Sequence, residues 1–301
     1  MPRQFHWEYH PRRKLSLVCE GETLATYSFS TSDSAKPYIH PLRTVAGVPL
    51  TAFQPSDHVW HRGLWFSWKY INGVNYWEEA PKEIDGRLLS VSDGRTEVAG
   101  NETVTFGPQQ AEVTTWIDYV APTGRKVMTE RRLVRLCAPQ SYGDFSIDWE
   151  HDFTVGDEAV TLGVTPVTPE TPWGGYAGLG WRAARSLRDF RTINSNGSTG
   201  EATNGERARW IDLSGIADGG TDIAAGLAIL DHPSNPRHPA PSYVYFDTAQ
   251  FGYISPSPIR DEPMRLAARA PLRLRYRVIV HDGWPDPEAI ERDFRAFAST
   301  R

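Results

Sequence analysis

The chain has 301 residues, of which 40% are hydrophobic and 23% are charged, so it is long enough to bury an apolar core. Its 32 basic and 37 acidic residues give a net charge of −5, and the basic residues are scattered along the chain. This balance argues against a nucleic-acid partner, which a clustered basic surface would indicate.

The N-terminal segment from Met1 to Trp7 has no apolar stretch of signal-peptide length. No window of the chain is long and apolar enough for a membrane-spanning helix. We therefore expect a cytoplasmic protein without a membrane partner. Cys19 and Cys137 each fall within an alternating segment, which predicts buried thiols rather than a disulfide.

Apolar and polar residues alternate with a period of two along much of the chain, which predicts β-strands. The alternation is clearest in three segments, at 14–19, 144–153 and 272–280. Further predicted strands cover 24–29, 87–92, 103–106, 112–120, 127–137, 159–164, 224–230 and 243–247. So many strands, joined by segments that contain many of the 25 Gly and 23 Pro, predict an all-β antiparallel sandwich rather than βαβ units.

A single helix is predicted, near the C-terminal end. Asp286 is the expected N-cap and Pro287 the first helical residue. An apolar stripe on this helix consists of Ile290, Phe294 and Phe297. The stripe predicts that the helix packs on the outside of a sheet or closes one end. The loop-like segment 192–207 is too short to separate domains, so we expect a single β-sandwich domain over 1–301.

The stretch from Lys36 to Glu79 concentrates imidazole, guanidinium and indole side chains, including three of the nine histidines. Flat rings suit stacking on a sugar face, and imidazole and guanidinium groups suit moving protons or binding oxygen atoms. This stretch therefore predicts a carbohydrate site with His58 and His61 as catalytic residues, while Asp57 either caps the turn or orients an imidazole. The substrate-binding residues predicted from the same stretch are His40, Arg43, Arg62 and Trp65.

The three histidines of this stretch are also nitrogen donors that suit a divalent metal, with a carboxylate completing an open site. Their spacing matches no strong metal-binding signature such as HExxH. We predict no cofactor and keep a divalent metal at His40, His58 and His61 as an alternative.

The predicted strand at 144–153 has three carboxylates on one face: Asp148, Glu150 and Asp152. The predicted strand at 272–280 has three arginines on one face: Arg273, Arg275 and Arg277. Cross-strand pairing between these two sets would be purely structural. The alternative makes Glu150 the carboxylate partner of a catalytic histidine, and we keep Glu150 as the third catalytic candidate.

Two later segments supply further candidates. Trp173 and Tyr176 lie in a glycine-rich segment, 173–182, whose order differs from a dinucleotide fingerprint; the two rings form either a stacking wall or part of the core. The segment 231–239 follows an apolar strand and is stiffened by three prolines. It is either a plain surface loop or a site for polar recognition. The substrate-binding candidates from these segments are Trp173, His232, Asn235 and Arg237.

These motifs resemble the PmoA-like proteins, a family of unknown function often labelled methane oxygenase PmoA, along nearly the whole chain. The runs that carry the resemblance are Pro37-Tyr38-Ile39-His40-Pro41-Leu42, the block 57–65 with Asn72, Gly73 and Trp77 after it, and 231–237. The resemblance implies a β-supersandwich similar to galactose mutarotases and a role in sugar catabolism. The family usually has a further histidine where this chain has Trp60, which weakens a metal site and leaves His58 and His61 as the important pair.

Together these observations predict an enzyme that acts on a sugar or glycoside by histidine-mediated proton transfer, without a nucleotide cofactor. Mutarotation, epimerisation, elimination and hydrolysis all fit such a site, with Arg43, Arg62 and Arg237 stabilising negative charge on oxygen. The main alternative is a non-catalytic carbohydrate-binding protein with a tryptophan-lined site, and a third is a structural subunit. The expected partner is a small-molecule carbohydrate, and a homo-oligomer stays open.

Overall fold

Antiparallel β-strands make up most of the protein. The structure, a computed structural model, describes residues 4–30, 36–84, 87–139, 144–218, 223–247 and 251–300. In chain order, the first strands are β1 (Phe5–His10), β2 (Lys14–Cys19), β3 (Glu22–Ser28), β4 (Tyr38–Leu42), β5 (Leu64–Ser67), β6 (Tyr70–Ile71), β7 (Val74–Asn75), β8 (Ala80–Ile84), β9 (Arg87–Val91), β10 (Arg95–Phe106) and β11 (Gln110–Val120). The remaining strands are β12 (Lys126–Cys137), β13 (Phe145–Val155), β14 (Val160–Gly163), β15 (Gly178–Arg182), β16 (Leu187–Asn194), β17 (Trp210–Ala217), β18 (Ala224–Asp231), β19 (Ser242–Phe246), β20 (Gly252–Pro256), β21 (Met264–Leu266) and β22 (Pro271–Asp282).

These strands form two eight-stranded sheets and two smaller ones. The first sheet has the order β1-β2-β3-β4-β5-β15-β20-β19, and the second has the order β10-β11-β12-β13-β22-β18-β17-β16. A four-stranded sheet has the order β21-β14-β6-β7, and β8 pairs with β9. The strand pairs of both large sheets are antiparallel. The predicted all-β antiparallel fold is therefore confirmed.

The two large sheets pack face to face over one hydrophobic core. Phe66 of β5 lies against Phe153 of β13, with 5.6 Å between the ring centroids. Tyr27 of β3 meets Trp149 of β13 edge to face at 5.8 Å. Each sheet thus buries its apolar face against the other, which is the arrangement that removes most apolar surface from water in a sandwich.

A buried charged cluster lies within this core, on the inner face of the second sheet. The Glu130 carboxylate accepts hydrogen bonds from Arg132 Nε at 2.6 Å and Arg132 Nη2 at 2.8 Å. It also accepts from His151 Nδ1 and from the Tyr119 hydroxyl, both at 2.7 Å. Burial alone would raise the pKa of Glu130, but the charges of Arg132 and His151 outweigh it and lower this pKa to about 2. The carboxylate is therefore ionised in the folded protein.

The C-terminal helix α1 (Pro287–Ala298) covers the outer face of the second sheet. The Asp286 carboxylate caps it by accepting from the backbone N–H groups of Glu288 at 2.9 Å and Ala289 at 3.2 Å. The apolar stripe of the helix is buried with four sheet residues: Trp210, Ala228, Leu230 and Ile279. The predicted N-cap and stripe are confirmed. Within the described part of the chain, no helix has the length and apolar character that crossing a membrane requires.

The two cysteines are thiols, as predicted. Cys19 is buried at the end of β2 in the first sheet, and Cys137 is half-buried at the end of β12 in the second. Burial raises the pKa of the Cys137 thiol, so it stays protonated at neutral pH.

Candidate functional site

The outer face of the first sheet, which points away from the second sheet, carries its own cluster of aromatic rings. In β5 the side chains of Leu64 and Phe66 enter the core, so Trp65 between them points to the opposite face. Tyr243 of β19 and Tyr253 of β20 join Trp65 there for the same reason. These residues form a floor over which loops build a cavity.

A cavity of about 390 Å³ lies over this floor, a volume within the range of small-molecule sites. Most of its wall is aromatic and consists of Trp60, Trp77, Trp173, Tyr176, Tyr243, Phe251 and Tyr253. Its imidazole and carboxylate side chains are those of His58, His61 and Glu78. We call it the aromatic cavity. The loop between β4 and β5, the segment after β7 and the glycine-rich loop before β15 converge on it.

His58 lies at the wall of the aromatic cavity with its ring oriented by the neighbouring carboxylate. Its Nδ1 is 2.9 Å from Asp57 Oδ2, which also accepts from Arg182 at 2.8 Å. Burial opposes ionisation of Asp57, but the hydrogen bond from His58, the charge of Arg182 and the hydrogen bond from Arg185 hold the pKa of this carboxyl well below its usual range. Because an ionised carboxylate only accepts, Nδ1 of His58 carries the hydrogen and Nε2 is left as a proton acceptor.

His61 is buried in the same wall. Its ring stacks on His58 with 4.6 Å between centroids and on Tyr253 at 5.6 Å. Burial, and then the neighbouring His58, hold the pKa of His61 well below its usual value. His61 is therefore neutral at pH 7, and its Nδ1 has no hydrogen-bond partner among the residues that the structure describes.

Glu78 brings a carboxylate to the aromatic cavity. It accepts a hydrogen bond from the Tyr176 hydroxyl at 2.6 Å and forms an ion pair with Lys69. Burial pushes the pKa of Glu78 upward, but the hydrogen bond and charge of Lys69 and the bond from Tyr176 hold it below its ordinary value. Glu78 is thus an ionised hydrogen-bond acceptor at neutral pH.

Behind the wall, a buried ion cluster anchors the segment that carries Trp77 and Glu78. Glu79 pairs with Lys36 at 2.9 Å and with Arg62, and Lys36 Nζ also donates to the Trp77 carbonyl oxygen at 2.6 Å. Arg62 is fully buried, so this predicted substrate-binding residue supports the wall rather than lining it. Trp65 is buried as well and packs under His61 and Trp77 at 5.0 and 5.4 Å.

His40 and Arg43 lie on or beside β4 but do not line the aromatic cavity. His40 Nδ1 is 2.8 Å from the Thr51 hydroxyl oxygen, and the ring stacks on Phe53. Burial and the charge of Arg43 lower the pKa of His40. In the described ranges, no three His, Cys, Asp or Glu side chains are grouped to hold a metal ion. The histidines considered as metal ligands are therefore not gathered into one such site.

Glu150 lies on the second sheet and not at the aromatic cavity. β13 pairs with β22 so that Glu150 faces Arg275 and Asp152 faces Arg273. Glu150 Oε2 accepts from Arg273 at 2.7 Å. This is the cross-strand pairing considered as the structural alternative, and it leaves Glu150 on a different sheet from His58. We therefore remove Glu150 from the catalytic candidates.

The proline-rich loop at 231–239 is also remote from the aromatic cavity, because it packs against α1 over the second sheet. His232 Nε2 lies 3.0 Å from Arg275 Nη1, and Asn235 Nδ2 donates to the Arg275 carbonyl oxygen at 2.8 Å. Arg237 donates to three backbone carbonyl oxygens. These side chains hold the loop together, so His232, Asn235 and Arg237 leave the set of substrate-binding candidates.

The predicted residues that the structure brings together in the aromatic cavity are therefore His58, His61, Trp173 and Tyr176. Sequence reasoning did not select Glu78, Tyr243 or Tyr253 as site residues. The position of Tyr243 could have been inferred from the sequence. It begins a predicted strand whose next residue, Val244, is apolar, and successive side chains of a strand point to opposite faces. Glu78 and Tyr253 carry no comparable signal, because nothing local shows which face they occupy.

Because Gly180 of β15 has no side chain, the ring of Tyr253 can pack directly over it in the floor of the aromatic cavity. A Cβ atom added at Gly180 would lie 2.0 Å from the Tyr253 hydroxyl oxygen. We expect Gly180→Ala to displace this ring and lower the free energy of unfolding by about 1–3 kcal/mol. Gly163→Ala is the control, because nothing lies within 4 Å of its added Cβ. Urea unfolding measures both, and equal stabilities for the two variants would contradict the prediction.

The fold and the site define an antiparallel β-sandwich protein with an aromatic cavity on the outer face of one sheet. The chain belongs to DUF6807, a family of unknown function whose model matches residues 14–295. No curated protein matches the chain.

Several solved structures are similar to this chain at very low sequence identity. Galactose 1-epimerase from Lactobacillus acidophilus NCFM aligns with a TM-score of 0.44 and 7% identity, covering 94% of this chain and 100% of that one. A galactose mutarotase related enzyme from Lactobacillus acidophilus aligns at 0.35 and 8%, covering 92% and 97%. The α-galactosidase from Lactobacillus brevis aligns at 0.40 and 8%, covering 92% and 39%.

Proposed function

We propose that the protein is a carbohydrate-active enzyme that acts on a sugar or glycoside by acid–base chemistry at His58. The observation that carries this proposal is the position of His58 at the wall of the aromatic cavity, with Nδ1 bound by an ionised Asp57. Aromatic planes stack on the apolar faces of sugar rings, and an oriented imidazole is a general base near neutral pH.

The other polar groups of the aromatic cavity support this role. Glu78 is ionised and His61 is neutral, so neither group places a positive charge beside His58. The proposal covers mutarotation, epimerisation, elimination and hydrolysis, each of which needs a proton transfer beside the sugar ring. The PmoA-like resemblance and a role in sugar catabolism belong to the same proposal.

The test is an assay of wild type, His58→Ala and His6→Ala against a panel of aldoses, glycosides and oxidised sugars. We expect His58→Ala to lower turnover by a factor of about 10²–10⁴, the usual contribution of a general acid or base. His6 is the matched control, because it lies exposed on β1 and does not line the aromatic cavity. Equal turnover by His58→Ala and His6→Ala would remove the catalytic assignment.

A second candidate function is a non-catalytic carbohydrate-binding protein. The observation that favours it is the predominance of aromatic rings over titratable groups in the aromatic cavity. It predicts that a sugar binds saturably to wild type and is recovered unchanged after prolonged incubation. Formation of a product that depends on His58 would exclude it.

A further inference from the structure

A second depression adjoins the aromatic cavity. Its volume is about 510 Å³, and four residues line both spaces: His58, Trp173, Tyr243 and Phe251. The rest of its lining is mostly charged and consists of Asp57, Arg182, Arg185, Tyr245 and Asp247. We call it the charged depression. The aromatic cavity and the charged depression are thus adjacent, one lined mainly by aromatic rings and the other mainly by charged groups. His58 lines both.

Most polar groups of the aromatic cavity are already engaged, and the buried polar atoms of its lining without a partner among the described residues are His61 Nδ1 and the Tyr253 hydroxyl. The Tyr176 hydroxyl already donates to Glu78, and the Tyr243 hydroxyl donates to the Trp173 carbonyl oxygen at 3.0 Å. Glu78 is further occupied by its ion pair with Lys69. A sugar enclosed here on all sides would leave hydroxyl groups without partners, which carries a desolvation penalty for each one. A flat apolar ring has no such penalty and gains from contact with aromatic walls.

The charged depression has the groups that a sugar needs. The Arg185 side chain is 49% exposed and forms an ion pair with Asp57. This ion pair uses only part of the five N–H donors of the Arg185 guanidinium group. Tyr245 and Asp247 are exposed on the same side. Guanidinium donors, a phenol and a carboxylate together can satisfy hydroxyl groups both as donors and as acceptors.

We propose that the ligand is a glycoside whose aglycone is a flat apolar ring system. The aglycone occupies the aromatic cavity, the sugar occupies the charged depression, and the glycosidic linkage lies beside His58. This inference rests on the proposed function and names its substrate class. It also explains why one histidine lines both spaces, since a group that acts on the linkage has to reach both halves of the ligand.

The test compares matched ligands by isothermal titration calorimetry. The ligands are 4-methylumbelliferyl and methyl glycosides of the same set of sugars, together with 4-methylumbelliferone alone. For a sugar that binds, we expect the umbelliferyl glycoside to have a Kd at least about 10-fold lower than the methyl glycoside. Free 4-methylumbelliferone should compete with the umbelliferyl glycoside.

Two variants locate each half of the ligand. Trp60→Ala should reduce the advantage of the umbelliferyl glycosides, while Arg185→Ala should weaken both ligand series by the same factor. Trp116→Ala is the control for Trp60→Ala, because Trp116 is an exposed tryptophan on β11 of the second sheet. Correct folding of each variant is checked by its unfolding midpoint before titration.

The outcomes separate this inference from the proposed function. Equal affinities of methyl and umbelliferyl glycosides, together with turnover that depends on His58, would overturn only the two-part ligand. An equal loss of both series in Trp60→Ala would do the same. Absence of binding for every glycoside in the set would overturn the inference and the proposed function together.

Discussion

Replacing Glu130 with glutamine is expected to lower the free energy of unfolding by about 3–5 kcal/mol, because Arg132 then stays charged and buried without its carboxylate. Both side chains are almost completely inaccessible, and the two nitrogen atoms of Arg132 that bond Glu130 lie at 2.6 and 2.8 Å. His151 and Tyr119 bind different oxygen atoms of Glu130, so the amide group of glutamine deprives one of these two donors of its acceptor. Urea unfolding followed by tryptophan fluorescence measures the change.

The matched control is Glu97→Gln on β10. Glu97 pairs with Arg95, but their side chains are 50% and 40% exposed. Exposed pairs of this kind contribute at most about 1 kcal/mol, since water screens both charges. If the two variants lost the same stability, the cluster around Glu130 would not be an important part of the core.

The same carboxylate gives stability a defined dependence on pH. The folded-state pKa of Glu130, about 2, lies below its ordinary value of 4.5. Its contribution is therefore complete above about pH 4.5 and is lost as the pH falls toward 2, because the unfolded chain binds the proton more readily. Between pH 4.5 and 2, the free energy of unfolding should decrease less in Glu130→Gln than in wild type. In Glu97→Gln it should decrease as much as in wild type.

The second large effect is expected from Asp57→Asn, which should lower kcat by about 100-fold or more on any substrate that wild type turns over. In wild type Oδ2 of Asp57 accepts from His58 and Arg182 and Oδ1 accepts from Arg185, so asparagine has one acceptor oxygen for three donors. An asparagine whose carbonyl oxygen stays on Arg185 presents its amide group to His58. Nδ1 of His58 then has to accept, and the hydrogen moves to Nε2. The histidine loses the nitrogen that takes up a proton.

The measurement separates this effect from a merely structural one. We expect kcat to fall while KM changes less than about 3-fold, because the wall of the aromatic cavity stays in place. Asp157→Asn is the control, since Asp157 is an exposed aspartate that pairs with Arg269. A raised KM with an unchanged kcat would mean that Asp57 only shapes the site.

Several of the strands predicted from alternation have one buried and one polar face, although β1, which alternates throughout, was not predicted. β11, β12, β13 and β22 are long, and their residues alternate between the core and an outer face that water or charged pairs satisfy. β18 is buried throughout and was predicted from its longer apolar run, but the shorter strands β5, β15 and β20, also buried throughout, were missed. These strands have the core on one side and the aromatic floor of the site on the other, so their sequence shows no period.

The site, too, was predicted from the sequence only in part. His58 and Asp57 are neighbours in the chain, and the density of rings around them was enough to select the loop and to suggest that the aspartate orients the imidazole. Which residues complete the wall depended on the sheet order, in which β5, β15, β20 and β19 lie side by side. That order brings Trp173 and Tyr243 to His58. It leaves Glu150 and Arg237 over the other sheet.

Local chemistry therefore determined the all-β fold, the capped C-terminal helix and the histidine loop, because each depends on residues within a few positions of one another. The tertiary structure alone decided that a carboxylate, an arginine and a histidine meet inside the core, and that Glu78 rather than Glu150 accompanies His58. The physical reason is that a strand pattern states which residues share a face, whereas the partner of that face is chosen by packing between segments far apart in the chain.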